Sequence, residues 1–306
     1  MPGSQDYAQD PRNDHLLVYV NGALVPRAEA KVSVFDAGFS MGDGVWEGLR
    51  LHRGRLLFLE AHLDRLIAGA AAIRFDPPLD RAAIEAALRQ TLAGNAMADG
   101  AHLRLMVTRG LKTDVNQDPR NAIGVPTVVI TAEYKAPPIR SGGWGLALHT
   151  SSIRCTGPET FDMRLNSHSR LNLIRALLEA IDAGADEALM LDPQGKVSSC
   201  NATNFFFVRN GAVHTSTGDY GFNGITRAHV IALCRANAIP LHQGDFDLAQ
   251  AHVAEEAFVT GTLGGLTPVA TIDGHRMNTS PGPVTQRLTT LYEALKDADA
   301  AQGPRL

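Results

Sequence analysis

With 306 residues, 44% of them hydrophobic, the chain is long enough to bury one or two ordinary cores, so we expect a globular protein of two domains. Its 28 basic and 32 acidic residues are mixed along the sequence and leave a net charge of -4, which excludes a broad cationic surface for nucleic acid and favours a small-molecule partner. Three dispersed cysteines without a Cys-x-x-Cys pair predict neither disulfides nor a metal site and favour a reducing cytoplasm. The lack of a signal sequence and of a long apolar stretch predicts a soluble protein that contacts no membrane.

The first half of the chain is predicted to form a small N-terminal α+β domain, residues 1–134. Asn21-Gly22, between two apolar runs, predicts a β-hairpin because this dipeptide readily adopts the positive φ angles of a tight turn. Polar residues 1–14 predict a loose arm ahead of it. Hydrophobic periodicity predicts the remaining elements, which are strands at 46–51, 55–59, 103–108 and 127–132 and helices at 60–73 and 81–93.

The second half is predicted to form a larger C-terminal domain, residues 144–306. It follows residues 135–143, whose proline and glycine pairs predict an interdomain linker. Short apolar runs punctuated by turns indicate a mixed sheet or pseudo-barrel. The predicted elements are strands at 146–151, 187–191 and 205–208 and helices at 169–183, 226–237 and 284–296.

Gly224-Ile225-Thr226-Arg227 lies immediately before one of the predicted helices. Unpaired backbone N–H groups and the helix dipole favour an anion at such a helix start. Four residues alone favour a simpler interpretation, a glycine entry with Thr226 as the helix cap. Other motifs in the chain change the weight of this one.

Motifs at five places occur in an order and at intervals that closely resemble fold-type IV, pyridoxal-phosphate-dependent enzymes: branched-chain and D-amino-acid aminotransferases and aminodeoxychorismate lyases. This resemblance spans residues 16–296 and implies an α+β, two-domain, D-amino-acid-aminotransferase-like fold with a small N-terminal domain and a pseudo-barrel C-terminal domain. The motifs are Asp36–Glu47, His62-Leu63-Asp64-Arg65-Leu66, Asn204–Val208, Gly224–Arg227 and Thr260-Gly261-Thr262.

The resemblance also implies a cup for the cofactor phosphate. Arg65 would clamp the phosphate, while the Gly224, Ile225 and Thr226 turn and the Thr262 turn would supply backbone amides and a hydroxyl. An arginine fork with helix-terminal N–H groups suits a phosphate or a carboxylate. The alternative interpretation of Arg65 is a surface helix residue paired with a nearby acid.

Two positions depart from the family's pattern, and the first concerns its catalytic lysine. Counting back from Glu179-Ala180 places that lysine at Asn166, or at Leu165 if the loop is one residue longer. Neither side chain can form a Schiff base, because a primary amine is required. No lysine occurs between Lys135 and Lys196, so a modest shift of the alignment supplies none.

The second departure is Ser199, which stands where the family has a glutamate that keeps the pyridine nitrogen protonated. Without that carboxylate the ring is a poorer electron sink. Lys196 is close in sequence, but its place beside a turn favours a solvated hairpin lysine. Losing both partners predicts that conventional cofactor chemistry has been abandoned.

Other side chains of the vacated pocket are candidates for chemistry. His168, two residues past Asn166, is a candidate general base because its pKa lies near neutrality; a helix-start histidine bonded to backbone explains it equally. Ser199 and Cys200 could be nucleophiles if a base reaches them, although structural packing is the simpler interpretation. Trp46 and Arg109 resemble substrate-side positions, and Arg109 could bind a substrate carboxylate.

These departures leave three functional hypotheses. The first is an enzyme without covalently bound cofactor that hydrolyses, or eliminates from, a small anionic amine-bearing substrate, with His168 or a bound water moving the proton. The second is a conventional transaminase or lyase that holds pyridoxal phosphate noncovalently and uses His168 as its base. The third is a non-catalytic ligand-binding homologue. Family resemblance further implies a homodimer. The apolar, glycine-rich composition of Gly38–Gly44 makes this segment a candidate part of its interface.

Overall fold

The computed structural model describes residues 7–136 and 145–302, which form two compact units. The N-terminal unit comprises Ala8–Ala136, Leu165–Arg170 and residues 298–302, and the C-terminal unit comprises Tyr7, residues 145–164 and Leu171–Asp297. The segment Leu165–Arg170 thus lies beyond the predicted domain boundary in the sequence, yet it belongs to the N-terminal unit. Most of the predicted linker, 137–143, lies outside the described residues, and the domain boundaries stay a prediction.

The N-terminal unit contains a six-stranded sheet with strand order β2-β1-β8-β5-β3-β4. Helices α2 and α3 bury an apolar face against the core that this sheet shares with them. The elements are β1 (Leu17–Val20), β2 (Ala23–Pro26), α1 (Ala37–Met41), β3 (Gly44–His52), β4 (Arg55–Leu56), α2 (Leu59–Ala72), α3 (Arg81–Gly94), β5 (Ala101–Thr108), β6 (Leu111–Lys112), β7 (Ala122–Ile123) and β8 (Thr127–Tyr134).

The strand period of two divides the side chains of β3 and β5 between the two faces of this sheet. Glu47 and Leu105 are paired across the strands and are fully buried, and Glu47 contacts helix α2. Trp46 and Arg104 therefore lie on the other face and are only half-buried. That face carries the first group of candidate site residues.

The C-terminal unit contains a sheet in the order β11-β10-β9-β16-β15-β12-β13-β14, with β17 paired to β16. Its core includes four phenylalanines with almost no exposed surface, Phe205, Phe206, Phe207 and Phe258. The elements are β9 (Leu146–Thr150), α4 (Leu171–Asp182), β10 (Glu187–Leu191), β11 (Val197–Cys200), β12 (Asn204–Arg209), β13 (Ala212–Thr215), α5 (Ile225–Ala236), β14 (Leu241–Gln243), α6 (Leu248–His252), β15 (Glu256–Gly261), β16 (Gly265–Ile272), β17 (His275–Arg276) and most of α7 (Pro283–Ala301).

The predicted mixture of helices and strands is confirmed, as is the hairpin, in which Asn21 and Gly22 have φ angles of 47° and 99°. Parallel pairs, such as β9 with β10, occur beside antiparallel ones, so the sheet of the C-terminal unit is mixed as predicted. Within 7–136 and 145–302, no helix combines the length and apolarity needed to cross a membrane.

Candidate functional site

The segment in which the resemblance places the catalytic lysine is bonded to the start of strand β3. The backbone N–H of Trp46 donates to the carbonyl of Asn166 at 2.9 Å, and that of His168 donates to the carbonyl of Gly44 at 2.9 Å. Val45 and Ser167 form an antiparallel bridge between these bonds. The backbone therefore holds Asn166 and His168 at one end of β3.

Asn166 is buried and its carboxamide is occupied on both sides. Its Nδ2 donates to the carbonyl of Trp46, and its Oδ1 accepts from the guanidinium of Arg170. The indole Nε1 of Trp46 donates back to the carbonyl of Ser167 at 3.0 Å. A neutral amide with both of its polar ends bonded can position neighbours, but it offers no amine for covalent chemistry.

His168 has the geometry of a neutral imidazole with one lone pair. Its Nε2 lies 3.2 Å from the carbonyl of Val45, and since a carbonyl only accepts, Nε2 carries the proton and Nδ1 the lone pair. Burial lowers the pKa of His168, and the positive charge of Arg104 lowers it further. Gly44 permits this approach, because a Cβ there would lie 3.1 Å from Cδ2 of His168 and 2.8 Å from the carbonyl of Val107.

Arg104, which the motifs did not single out, stacks on Trp46 with its guanidinium carbon 3.2 Å from the ring centroid. Burial lowers the pKa of Arg104 to about 10, so it remains charged at neutral pH. Among the described residues no carboxylate forms an ion pair with Arg104. The sequence pattern could have identified Arg104 as a candidate. His102 and Arg104 alternate with buried apolar residues in β5, which places both on the less buried face of the sheet.

Arg170 adds a second guanidinium beside the same ring. Its central carbon lies 5.3 Å from the centroid of Trp46, within the range of a cation–π interaction. Burial lowers the pKa of Arg170 to about 10, and the neighbouring charges of Arg104 and Arg65 act in the same direction. Two guanidinium groups thus lie beside Trp46, and their positive charge favours an anion at this face.

Arg65 is held on the helix-facing side of the sheet by a fully buried carboxylate. Its Nε and a terminal nitrogen donate to the two oxygens of Glu47 at 2.7 Å each, and Nδ1 of His62 lies 2.7 Å from Glu47. Burial would raise the pKa of Glu47, but the bonds from Arg65 and His62 outweigh it and lower the pKa. In these bonds Glu47 accepts from two of the five N–H donors of Arg65. The predicted role of Arg65 in anion binding stays a prediction.

Arg109 is engaged in structural contacts. Its guanidinium forms a bidentate pair with Asp43 at 2.6 and 3.0 Å and donates to the carbonyls of Ile73 and Arg74 at 2.7 and 2.9 Å. These bonds join the chain before β3 to the end of α2. They favour a structural role over the predicted substrate-binding role. The four bonds use every nitrogen of the guanidinium, so they leave no pair of parallel N–H donors for a substrate carboxylate.

The remaining predicted site residues belong to the C-terminal unit, where Asn204 connects two of them. Its Oδ1 accepts from the N–H of Gly224 at 3.1 Å, and its Nδ2 donates to Oγ of Ser199 at 3.4 Å. Ser199 is buried and donates to the carbonyl of Thr203 at 2.9 Å. One carboxamide thus links the start of α5 to Ser199, where the resemblance places the family's pyridine-binding glutamate.

The Gly224, Ile225 and Thr226 turn begins a 12-residue helix whose first N–H groups receive no side-chain cap. The simpler interpretation of Thr226 as the cap is wrong, because Gly224 is the cap residue and the Thr226 hydroxyl lies 3.3 Å from the Tyr292 hydroxyl. The Thr262 turn follows β15, where Oγ1 of Thr260 is buried without a partner among the described residues. The helix start keeps the geometry that favours an anion.

Cys200 does not have the surroundings of a nucleophile. Its thiol is buried on β11, and burial together with the charge of Glu187 raises its pKa well above the ordinary value. A thiolate is the reactive form of cysteine, and this environment suppresses it. The contacts of Cys200 therefore favour structural packing.

The residues present fit pyridoxal phosphate only in part. The uncapped helix start at Gly224 suits its phosphate. The residues expected to contact the ring do not suit it, since the Ser199 proton is given to a carbonyl and Asn166 holds no amine. If the resemblance places the family's two ring contacts correctly at Asn166 and Ser199, neither residue supplies their chemistry, and no proton transfer is assigned to this group.

Comparisons with known proteins agree with this fold. The family model of amino-transferase class IV matches residues 44–272. The branched-chain-amino-acid aminotransferase-like protein 2 of Arabidopsis thaliana is 40% identical over 296 residues, 96% of this chain and 53% of the relative, so the chain spans about half the length of that relative. A putative branched-chain-amino-acid aminotransferase of Methanocaldococcus jannaschii is 35% identical, over 91% of this chain and 96% of its own.

A solved structure of the branched-chain aminotransferase of the thermophilic archaeon Thermoproteus uzoniensis with norvaline has a TM-score of 0.81 to this chain at 28% identity, covering 93% of this chain and 96% of the other. The predicted D-amino-acid-aminotransferase-like, α+β fold is confirmed by this likeness and by the family match. The chain therefore belongs to the amino-transferase class IV family.

Proposed function

We propose that this protein is an enzyme that binds a small anionic, amine-bearing substrate and transforms it without a Schiff base to pyridoxal phosphate, by hydrolysis or elimination. The observation that carries the proposal is the pair formed by Arg104 and Trp46, a charged guanidinium stacked at 3.2 Å on an indole with no ion-pair partner among the described residues. Asn166, where the resemblance places the family's catalytic lysine, is bonded to the backbone of Trp46.

Arg104 supplies the recognition step. A planar guanidinium binds a carboxylate or phosphate through two parallel N–H donors, and stacking on Trp46 restricts its orientation. Partial burial strengthens this interaction because water screens it less. Arg104 would therefore orient the acidic group of the substrate on the face of the sheet opposite helix α2.

His168 supplies the proton step. Its neutral form, favoured because burial lowers its pKa, holds a lone pair on Nδ1 that can accept a proton from water or from substrate. The bond from Nε2 to the carbonyl of Val45 fixes the ring and would stabilise the imidazolium that results. Activity would then rise with pH through the pKa of His168, which lies below 6.5.

The similarity to aminotransferases supports a second hypothesis, in which the protein is a transaminase or lyase that holds pyridoxal phosphate noncovalently. When bound, that group would supply an electron sink for the substrate carbanion. Asn166 and Ser199 both weigh against this alternative, since neither offers the amine or the carboxylate that the chemistry needs. A non-catalytic role remains the third hypothesis.

Substrate binding is testable by fluorescence of Trp46. The chain has two tryptophans, and Trp144→Phe leaves Trp46 as the single reporter. Titration with L-leucine, L-aspartate and O-phosphoethanolamine is expected to change its emission with at least one compound, and Arg104→Gln is expected to weaken that binding at least tenfold. Arg89→Gln, an exposed helix arginine paired with Glu85, is the matched control and should leave the affinity unchanged.

Turnover of the same compounds, followed by NMR with protein freed of vitamin B6, separates the three hypotheses. We expect product without added pyridoxal phosphate and a fall in kcat of about 10²–10⁴-fold in His168→Gln. Product only after the vitamin is added would support the second hypothesis. Binding without product under both conditions would support the third.

We also propose that the chain forms a homodimer through the surface around Gly38–Gly44. Phe39 is 67% exposed in this segment. Phe35 and Leu111 are exposed too, and they are neighbours because Asp36 forms a backbone bridge with Leu111.

Light scattering is expected to give twice the 32.7 kDa chain mass. Phe39→Asp should give the monomer mass, whereas Val253→Asp, at a 62% exposed position in the C-terminal unit, should not. A wild-type mass of 32.7 kDa at micromolar concentration would contradict the proposal.

A further inference from the structure

Three aromatic rings form one cross-strand row at the β14 end of the C-terminal sheet. Strand register pairs Phe207 of β12 with His214 of β13, and His214 with His242 of β14. Their ring centroids are 4.8 and 5.0 Å apart, with interplanar angles of 13° and 31°. The row begins in the core, where Phe207 is 1% exposed, and ends at the exposed His242.

A cavity of about 370 Å³ is lined by this row, by Ala212 and by Arg209, Asn210 and Gln250. Phe246 braces the rings from the side, with its plane nearly perpendicular to those of Phe207 and His214 at 5.3 and 5.2 Å. Because His214 is stacked between Phe207 and His242, the edge of its ring rather than a face is directed away from the row. Aromatic ring edges are electropositive, and they attract anions.

The charged groups of this cavity have one sign. Arg209 is cationic, and His214 and His242 become so on protonation. Burial lowers the pKa of His214, and His242 and Arg209 lower it further. None of the residues that line the cavity is acidic.

Three carboxylates lie on the adjoining segments: Glu255 before β15, and Asp245 and Asp247 between β14 and α6. Glu255 accepts from the backbone N–H groups of Asn210 and Gly211 in the hairpin turn. Asp247, before α6, pairs with Lys196 at 2.7 Å and caps the helix through its capping box. Among the described residues, none of these three carboxylates forms an ion pair with Arg209.

We propose that this cavity is a binding site for a small anion that carries a carboxylate or a phosphate. Arg209 would supply a charge-assisted fork, the two imidazoles would supply N–H donors, and the amide of Gln250 would supply another. The Nδ1 proton of His214 is donated to the carbonyl of Ala212 at 2.9 Å, so its Nε2 is the atom that would gain a proton as the anion binds. None of these residues belongs to the candidate site described above.

The sign of the pH dependence follows from this protonation. An anion stabilises the charged imidazole, so binding raises the pKa of His214 and tightens as the pH falls. A tenfold preference of the anion for the protonated form corresponds to a rise of about one pKa unit. Binding at a site without a titrating histidine would show no such linkage.

The test uses the full chain, with inorganic phosphate and acetate as probes and chloride at equal ionic strength as reference. The imidazole Cε1–H signals are followed by ¹H–¹³C NMR from pH 5 to 8, with His214 and His242 assigned from the His214→Gln and His242→Gln spectra. We expect saturable shifts of His214 and a rise of its pKa by at least half a unit with one probe or both. A response to phosphate alone, or to acetate alone, identifies the acidic group that the cavity prefers.

Arg209→Gln is expected to weaken this binding about tenfold, because it removes the charged fork. Arg175→Gln, an exposed arginine of α4 in the same unit, makes the same change in net charge and should leave binding unaltered. Since His242 is exposed, His242→Gln offers a second variant that should fold, and it should weaken binding as well. Shifts of His214 that are absent, that do not saturate, or that are equal in Arg209→Gln and Arg175→Gln would overturn the proposal.

Discussion

Replacing Glu47 by glutamine is expected to lower the free energy of unfolding by about 3–5 kcal/mol, the cost of breaking a buried ion pair by removing one partner. Glu47 is fully buried and accepts from both His62 and Arg65. Glutamine has a similar shape, but it cannot balance the charge of Arg65 and it places an N–H₂ group where a donor already points. Urea denaturation followed by Trp46 fluorescence in the Trp144→Phe background would measure the change.

The matched control is Glu60→Gln in the same helix as Arg65. The side chain of Glu60 is 79% exposed and pairs with Arg81 at 2.9 Å, and exposed pairs of this kind contribute about 1 kcal/mol at most. Equal losses in the two variants would show that the burial of Glu47 has no energetic consequence.

The loss in Glu47→Gln should also depend on pH. The folded-state pKa of Glu47 is lowered from its ordinary value of 4.5, so its ionised form contributes stability above that value. This contribution disappears as the pH falls through the lower folded-state pKa. The difference between wild type and Glu47→Gln should therefore be complete at pH 7 and shrink below about pH 4.5.

Treatment with pyridoxal phosphate and then borohydride is expected to leave the peptide that contains residues 165–170 unlabelled in the wild type. A covalent adduct needs an unprotonated primary amine against the aldehyde carbon, and Asn166 offers a carboxamide bonded to Trp46 and Arg170. Asn166→Lys should instead acquire a stoichiometric label and a visible absorption band. Peptide mapping by mass spectrometry locates the label in both proteins.

The lysines elsewhere in the chain supply the control for this experiment. Lys135, Lys196 and Lys296 form ion pairs with Glu133, Asp247 and Glu293. They should react slowly and incompletely, because each amine is held in an ion pair. A single stoichiometric label on Lys196 in the wild type, lost in Lys196→Arg, would refute the loss of Schiff-base chemistry.

The variant Asn166→Lys should remain a poor transaminase, because Ser199 gives the ring nitrogen no carboxylate. Adding Ser199→Glu tests this second departure. The spectrum of the labelled double variant should differ from that of Asn166→Lys, since a carboxylate at position 199 would keep the ring nitrogen protonated. Identical spectra would show that position 199 does not face the ring.

Elements with strong local signals were predictable from the sequence. The turn at Asn21-Gly22 depends on two φ angles, and α2 and α3 depend on a repeating apolar face, so each is determined within a few residues. Helix α6, Leu248–His252, was not predicted, because five residues are too few for a periodic pattern. Its capping box, Asp247 with Gln250, was a signal that could have been used.

The absence of an amine between Lys135 and Lys196 is a property of the sequence by itself, as are the ordered motifs that indicated the family, because both depend only on residue type and spacing. Only the tertiary structure showed which arginine stacks on the ring of Trp46. Arg104 and Arg109 are five positions apart, yet cross-strand packing stacks Arg104 on Trp46, while Asp43 and the end of α2 engage Arg109. These contacts join segments distant in the chain, so no local pattern in the sequence records them.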